Sequence, residues 1–437
     1  MNKRILLVIL LSLFFCTGCE QSSILQATSL TISGGISDSS CSAAAAQSLG
    51  ITINETDNFF FTNTMLMNQL VSHDPNVDIY YIEGGMISTN AIFRKDFALP
   101  LTNSELVEQI SGMYDVIQDA VLQDQDIMGA PLLLSSNSGC LAYQISIYND
   151  CTEESYELPA SWMQLLEQIV QWDDDLWQEQ ISPIDMTPRM LLQSTLDMLM
   201  AWQQKAGVPY SFTSDQAIQV IDAAFRAGKV LAAHQSEQMQ NILFHRQGLT
   251  VGRTELEGFT PHALPLFDGE EKIIPMRLCI AFVNPYSKKQ ALAQQYLSAY
   301  YDAMDADLLM ALTPKANQNI ESPTAVSQIE SLQASISDLE DQLLHADAQT
   351  DTQSIDEQLE QCKEQLRYAE EHRYRVDASS LAVYGDLIES GVVLTEQLWQ
   401  EQNVSKLIDQ LLQEEISVED FCQELERILR MREAEDA

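Results

Sequence analysis

Basic residues are scarce in this chain. Its 437 residues include 23 Lys and Arg against 64 Asp and Glu, which gives a formal net charge of −41. A surface this acidic repels nucleic acid and anionic lipid headgroups, so we do not expect nucleic acid as a partner. The acidic residues are spread along the chain and do not form one tail, so they indicate a solvated surface and locate no site.

The chain also lacks the short motifs that mark common enzymes. It contains no nucleophile elbow, no H-E-x-x-H zinc motif, no P-loop and no glycine-rich dinucleotide loop. Its six His residues are scattered. The cysteines beyond the N-terminal segment lack metal-ligand spacing, and they are Cys41, Cys140, Cys151, Cys279, Cys362 and Cys422. We therefore predict that the protein is not an enzyme and uses no cofactor or metal. A surface hydrolase is the weakest alternative, since carboxylates alone do not exclude a glycosidase.

One apolar run stands at the N-terminus. Lys3 and Arg4 precede apolar residues 5–15, and small residues follow. This order is typical of a signal peptide, and the run is too short to span a membrane. The N-terminus therefore predicts export.

The residues after this run resemble a bacterial lipobox. Thr17, Gly18 and Cys19 match its end, with Cys16 in place of the usual Leu. The resemblance implies that residues 1–18 are removed, that Cys19 is lipidated, and that residues 19–29 form a tether to the extracellular face of the cell membrane. Ordinary secretion with cleavage nearby is the alternative.

Two interpretations remain open for the other cysteines. Cys140 and Cys151 are close enough in sequence to pair across one loop in an oxidising compartment. Alternatively Cys140, Cys279 and Cys422, which lie in apolar runs, are buried free thiols.

Strand-like and helix-like segments alternate in the first part of the chain. Residues 30–36 and 78–82 have strand patterns that end in glycines, whereas residues 42–49 and 64–71 have helical patterns. Such alternation predicts an α/β fold with a largely parallel sheet. Ligands of such sheets bind at the loops that follow the strands.

Helix-start signals recur later in the chain. Thr102, Ser161 and Thr213 are predicted N-caps, because each precedes an apolar helical pattern. After the third of these helices, Gly228 suits a helix end, and residues 229–234 are predicted to form a strand.

Residues 127–166 combine a small-residue loop, a strand and a helix start. The order resembles the extracellular solute-binding proteins of ABC importers, specifically the family-1 or sugar-type group, in which this run leads from the first lobe to the second. The matching residues are Gly129, Pro131, Tyr148, Asn149, Pro159, Ser161, Trp162 and Leu165, and Gln164 replaces the usual acid. A second run resembles the return to the first lobe, through Pro265, Asn284, Pro285, Ser287 and Lys288.

The resemblance implies a two-lobed, periplasmic-binding-protein-like fold with hinge crossovers. Residues 30–142 and 268–323 would form the first α/β lobe, and residues 143–267 the second, helix-rich lobe. Hinge closure over a ligand is a known motion of this architecture. Position in the fold then gives the candidate ligand-binding residues, which are Gly35, Glu83, Gly84, Ser135, Ser136, Asn137, Trp202, His234, Gln235, Ser236 and Arg277. Trp202 is a stacking platform or a packed helix residue, and His234 a ligand contact or an ordinary strand-end residue.

The family resemblance does not extend to the C-terminal part. Residues 324–375 carry two apolar patterns of three–four spacing separated by a polar break, which predicts a coiled-coil helical hairpin. Because each arm has only about three heptads, we expect it to dock on the body. Residues 376–437 are predicted to form further helices that dock on the body.

These observations predict a lipid-anchored receptor that delivers a small molecule, with carbohydrate favoured, to the subunits of an ABC permease. The alternative is a surface interaction lipoprotein that has lost its ligand and acts through the hairpin. The disulfide state and oligomeric state stay open.

Overall fold

The structure is a computed structural model. It describes residues 29–34, 39–56, 63–83, 89–136, 140–143, 148–150, 157–172, 174–234, 241–249, 251, 260–345, 352–395 and 402–436. The predicted signal peptide, Cys19 and Cys151 lie outside these residues.

Fourteen strands occur in the described ranges. They are β1 Ser29–Ser33, β2 Thr52–Thr56, β3 Ile79–Glu83, β4 Leu122–Gln123, β5 Asp126–Ile127, β6 Ala130–Ser135, β7 Cys140–Tyr143, β8 Ile181–Ile184, β9 Asn241–Arg246, β10 Thr260–Ala263, β11 Ile274–Val283, β12 Ile320–Glu321, β13 Tyr374–Val376 and β14 Gly391–Val393.

Helices alternate with these strands. They are α1 Ser39–Leu49, α2 Asn63–Val71, α3 Thr89–Arg94, α4 Ser104–Ile110, α5 Asp115–Asp119, α6 Trp162–Val170, α7 Asp174–Gln178, α8 Pro188–Lys205, α9 Asp215–His234, α10 Gln290–Asp302, α11 Ala306–Leu312, α12 Pro323–Leu344, α13 Thr352–Glu371, α14 Ala378–Ile388, α15 Gln402–Leu412 and α16 Val418–Asp436. The α/β class predicted from the sequence is confirmed.

The chain divides into two compact units. The first unit contains Met1–Ser111, Gln118–Leu133 and Cys279–Met304. The second contains Gly112–Ile117, Leu134–Leu278 and Asp305–Ala437.

A sheet of parallel and antiparallel strands forms the centre of the first unit. β1 pairs in parallel with both β2 and β3, and β3 pairs antiparallel with Cys279–Val283 of β11. Leu30, Ile32 and Ile79 are fully buried, because parallel strands are covered on both faces by helices.

A buried carboxylate joins three segments of this unit. Asp78, 1% exposed, precedes β3, and its oxygens accept hydrogen bonds from the Thr31 amide at 2.8 Å and the Ser287 hydroxyl at 2.5 Å. The Lys289 ammonium lies 3.3 Å from the same carboxylate. A buried charge is tolerated only when it is paired and hydrogen-bonded, so this network holds the start of α10 against β1 and β3.

The second unit is built from a four-stranded sheet and a layer of helices. The sheet has the order β10-β7-β9-β8. Its core includes the large side chains Trp162, Phe212, Phe244 and Phe421, each at most 1% exposed. Helices α15 and α16 belong to the same core, so the part of the chain from Gln402 on helps to bury the second unit's apolar surface.

Helix α9 corrects one prediction. Residues 229–234 were expected to form a strand, and the structure has them in the last turns of α9. The buried face of α9 continues through Ala224, Ala227 and Leu231 at helical spacing, so tertiary packing extends the helix. Gly228 lies inside it, where an added Cβ would approach Pro188 Cβ to 3.4 Å.

Helices α12 and α13 form the C-terminal helical hairpin. They pack mainly against each other, and the apolar residues Leu332, Ile336 and Leu339 along their contact are only partly buried. In the described residues other elements contact the arms only sparsely, and docking of the hairpin on the body stays a prediction. At the base of the hairpin, β12 pairs antiparallel with β13, and the Ser322 amide donates a hydrogen bond to the Arg373 carbonyl at 2.8 Å.

Candidate functional site

Several predicted ligand-binding residues lie outside the described residues. These are Gly35, Gly84, Asn137, Gln235 and Ser236. Glu83 ends β3, where its backbone pairs with Cys279 of β11. The site is therefore built from the predicted residues that the structure does describe, which are Ser135, Ser136, Trp202, His234 and Arg277.

Ser136 and Arg277 lie close together in the second unit. Ser136 follows β6, is 3% exposed, and donates its hydroxyl proton to the Pro275 carbonyl oxygen at 2.8 Å. Arg277 stands two residues further along β11, about 6.6 Å from Pro275 at the usual rise of a strand. Ser135, the last residue of β6, is partly buried beside them. Two stretches that sequence reasoning chose separately thus come together.

A third element supplies the partner of Arg277. Asp197 lies in α8, and its Oδ2 is 3.5 Å from Nη2 of Arg277, with the two side chains 4% and 17% exposed. Removing one member of such a buried pair leaves an uncompensated charge, at a cost of about 3–5 kcal/mol. The pair therefore holds α8 against β11 and fixes the position of the guanidinium.

Gln247 adds an unsatisfied acceptor near Ser136. Its side-chain oxygen is buried and has no hydrogen-bond partner among the described residues. The next residue, Gly248, is so close that an added Cβ would lie 3.2 Å from the Ser136 carbonyl oxygen. A buried amide oxygen without a donor is rare in proteins, because its desolvation costs about 1–3 kcal/mol.

Trp202 and His234 occupy other parts of the second unit. Trp202 is partly buried in α8 and packs edge-on against Phe267, with 5.4 Å between ring centroids. His234 ends α9 and stacks on Trp177, with ring centroids 4.1 Å apart and planes 2° apart. For Trp202 this favours the interpretation as a packed helix residue.

Sequence reasoning missed Asp197 and Gln247. Asp197 is a single acid within the amphipathic pattern of α8, and that pattern gives no sign that the acid faces a buried Arg. Gln247 is an ordinary polar residue just after β9. Only the three-dimensional structure distinguishes these two residues, Asp197 by its buried ion pair and Gln247 by its unpaired acceptor.

The chemistry of this cluster is hydrogen bonding. Ser135 and Arg277 carry donors, Asp197 and Gln247 carry acceptors, and the Ser136 hydroxyl, whose proton goes to the Pro275 carbonyl, can only accept a further hydrogen bond. In the parts of the chain that the structure describes, no group of three or more His, Cys, Asp or Glu is placed to hold a metal ion. The same residues include no helix that could cross a membrane.

Comparison with known proteins places the fold. No family model matches the chain, and no curated protein matches it. Among solved structures, the bacterial solute receptor AcbH, which has an exclusive substrate preference for β-D-galactopyranose, is similar at a TM-score of 0.55 and 13% identity, over 92% of this chain and 97% of that chain. The fold is that of ABC solute-binding proteins.

Two further solved structures with the solute-binding fold match this chain over nearly all of its length and nearly all of their own. Maltose-bound MalE3 of T. maritima is similar at a TM-score of 0.52 and 11% identity, over 92% of this chain and 99% of its own. An ABC substrate-binding protein of Listeria monocytogenes in complex with cycloalternan is similar at a TM-score of 0.52 and 12% identity, over 94% of this chain and 100% of that chain. The two-lobed fold expected from the sequence resemblance is therefore confirmed.

Proposed function

We propose that this protein is a lipid-anchored extracellular receptor that binds a carbohydrate by hinge closure and delivers it to an ABC permease. The observation that carries the proposal is the solute-binding fold, which extends over more than nine tenths of the chain. The similar proteins AcbH, MalE3 and the Listeria protein are named with galactose, maltose and cycloalternan respectively. A carbohydrate is thus the ligand class to test first.

The polar cluster of the second unit supports a carbohydrate ligand. Sugar hydroxyls both donate and accept hydrogen bonds, and the cluster of Ser136, Arg277, Asp197 and Gln247 contains polar groups of both kinds. Polar groups held in fixed orientation give specificity in a ligand site.

The N-terminal sequence supports the anchored form. Lys3, Arg4, the apolar run and Cys19 occur in the order of a lipoprotein signal peptide. Acyl chains on Cys19 would each contribute about 0.8 kcal/mol per buried CH₂ to membrane binding. A Cys19→Ser variant is expected to lose labelling by a palmitate analogue and to leave the membrane fraction. Retention of both in that variant would contradict lipidation at Cys19.

Ligand binding is tested by a thermal-shift panel on the mature protein. The panel contains monosaccharides, maltooligosaccharides, cyclic oligosaccharides, peptides and polyamines, and each hit is followed by calorimetry. A ligand present at 100 times its Kd stabilises the folded state by about 2.7 kcal/mol, so a carbohydrate ligand is expected to raise Tm in a saturable way. A response only to peptides or polyamines, or conversion of the sugar into a product, would contradict the proposal.

A second candidate function is partner recruitment by the hairpin. The observation that favours it is the sparse contact between α12–α13 and the remaining described elements. It predicts that no carbohydrate changes Tm, and that hairpin removal abolishes capture of the partner. A saturable sugar response that is unchanged by hairpin removal excludes this candidate as the main function.

A further inference from the structure

A cavity of about 330 Å³ lies in the first unit, beside the β-hairpin that β4 and β5 form. Its apolar wall includes Leu101, Ile110 and Ile127, of which the first two are buried. The Leu101 amide donates a hydrogen bond to the Ile127 carbonyl at 2.8 Å, so the hairpin is fixed to the segment that precedes α4. Small-molecule sites in proteins usually have volumes of about 300–1,000 Å³, so this cavity has room for one small ligand.

The polar part of the wall carries a negative charge. The polar side chains that line it belong to Ser111, Gln118, Gln125 and Asp126. Asp126 is exposed, and its carboxylate takes part in no hydrogen bond or ion pair of the described residues. None of the described lining residues is basic, and Lys315, which packs on Gly112, does not line the cavity. The cavity is therefore suited to a ligand with hydrogen-bond donors and a positive charge.

The turn of this β-hairpin is strained. Gln123 pairs with Asp126 across it, so the two turn residues are Asp124 and Gln125, with φ angles of 49° and 79°. Two-residue turns with positive φ at both positions strongly prefer Asn-Gly or Asp-Gly, because Gly adopts such angles without steric cost. Here Gln125 takes the place of that Gly and lines the cavity, whereas Asp124 does not line it. Strained residues of this kind concentrate at functional sites, so the turn is a second, independent sign that the cavity is used.

We propose that this cavity binds a small organic ammonium ion, at a site separate from the proposed carbohydrate site. The Asp126 carboxylate and the Gln125 side-chain oxygen accept hydrogen bonds from the ammonium group, which has donors only. Leu101, Ile110 and Ile127 contact the apolar part of the ligand. A metal ion fits less well, because Ca²⁺ takes about 6–8 oxygen ligands, usually from several carboxylates, and this wall has one carboxylate.

The experiment compares three probes of similar size and shape on the mature protein. Phenethylamine carries an ammonium group, phenethyl alcohol a neutral hydroxyl and phenylacetate a carboxylate. Ligand-observed NMR titrations give the three dissociation constants in about 150 mM NaCl, which screens acids more than about 8 Å away. We expect phenethylamine to bind at least fivefold more tightly than phenethyl alcohol, and phenylacetate to bind most weakly. Equal affinities, or no binding of phenethylamine, overturn the inference.

A matched pair of variants locates the charge. Asp126→Asn is expected to lower the affinity for phenethylamine about fivefold, to that of phenethyl alcohol. Asp124→Asn removes the same charge from the same turn, but from a residue outside the wall, and Asn tolerates a positive φ. We expect the affinity of this control variant to stay within about twofold of wild type. Equal losses in the two variants would show attraction to the acidic surface in general and overturn the inference.

The strained turn supplies a further test with two readouts. Gln125→Gly relieves the positive φ and removes a side chain from the cavity wall, so we expect its Tm to rise while its affinity for phenethylamine falls. A raised Tm with wild-type affinity would show that the strained residue does not serve the cavity, and it overturns the inference. Failure of these amine tests leaves the proposed carbohydrate function intact, and a carbohydrate panel without a response leaves the amine site intact.

Discussion

At the scale of single residues, Trp162 shows how a sequence pattern leads to a satisfied core. The pattern predicts a helix start at Ser161 with Trp162 facing inward, and the structure confirms both, since Ser161 accepts from the Gln164 amide and Trp162 is fully buried. The indole N–H donates to Thr195 Oγ1 at 2.9 Å. A buried indole N–H needs such a partner.

Replacing Thr195 tests this hydrogen bond. Thr195→Val keeps the shape of the side chain but leaves the Trp162 N–H buried without an acceptor, so we expect the free energy of unfolding to fall by about 1–3 kcal/mol. Urea unfolding followed by tryptophan fluorescence measures the change. Thr195→Ser keeps the hydroxyl, so we expect its free energy of unfolding to fall less than that of Thr195→Val. An unchanged free energy of unfolding in Thr195→Val would contradict a stabilising role for this hydrogen bond.

Two other caps show where local sequence reasoning fails. Thr102 and Thr213 were predicted to cap their helices, but Asn103 and Ser214 do so, accepting from the amides of Leu106 and Ala217. At each of these helix starts, two capping residues are adjacent in sequence. The choice between them depends on the tertiary direction of the chain, which a local pattern does not contain.

The cysteines give a second prediction at this scale. Cys140 is a buried free thiol, in agreement with the second of the two interpretations, and burial raises its pKa to about 11. Burial, together with the charge of Glu419, raises the pKa of Cys422 to about 12. Since the thiolate is the reactive form, iodoacetamide at pH 8 should modify partly exposed Cys362 first and reach Cys140 and Cys422 only in urea. Peptide mapping measures the order, and rapid native labelling of Cys140 would contradict it.

At the scale of elements, the apolar periodicity of the sequence indicates where a long strand lies, but it does not indicate which polar residues contact each other. Strand β11, Ile274–Val283, coincides with a long, nearly continuous apolar run of the sequence, and such a run has few other solutions. Arg277 on that strand is a candidate ligand-binding residue by its position in the fold, and its partner Asp197 comes from a distant helix. Sequence spacing carries no information on such a contact.

The helical hairpin supplies the prediction at this scale. Residues 323–372 are replaced by an Asn-Gly turn that joins Ser322 to Arg373, whose backbones are hydrogen-bonded at 2.8 Å. Since the arms pack mainly on each other, we expect the Tm of the remaining chain to change by less than about 2 °C. Differential scanning calorimetry measures this change.

Removal of α16 is the control for this experiment. That helix contributes fully buried Phe421, Cys422 and Leu425 to the core of the second unit, so its deletion is expected to unfold the unit. A large loss of Tm on removal of the hairpin would instead show that the arms stabilise the body.

At the scale of the whole molecule, the charge imbalance dominates. With 23 basic and 64 acidic residues, the folded chain repels itself, and salt screens this repulsion over a distance of about 10 Å at 0.1 M. We therefore expect Tm to rise as NaCl increases from about 10 mM to about 150 mM. Choline chloride at the same ionic strength serves as control for specific sodium binding. A Tm that falls with either salt would contradict this account.

The base of the hairpin has a consequence for engineering. Because β12 pairs with β13, the Ser322 amide donates a hydrogen bond to the Arg373 carbonyl, and the two residues that flank the hairpin are adjacent. A foreign domain whose own termini are adjacent, such as a fluorescent reporter, can be inserted between Ser322 and Arg373 without distorting the pairing of β12 with β13.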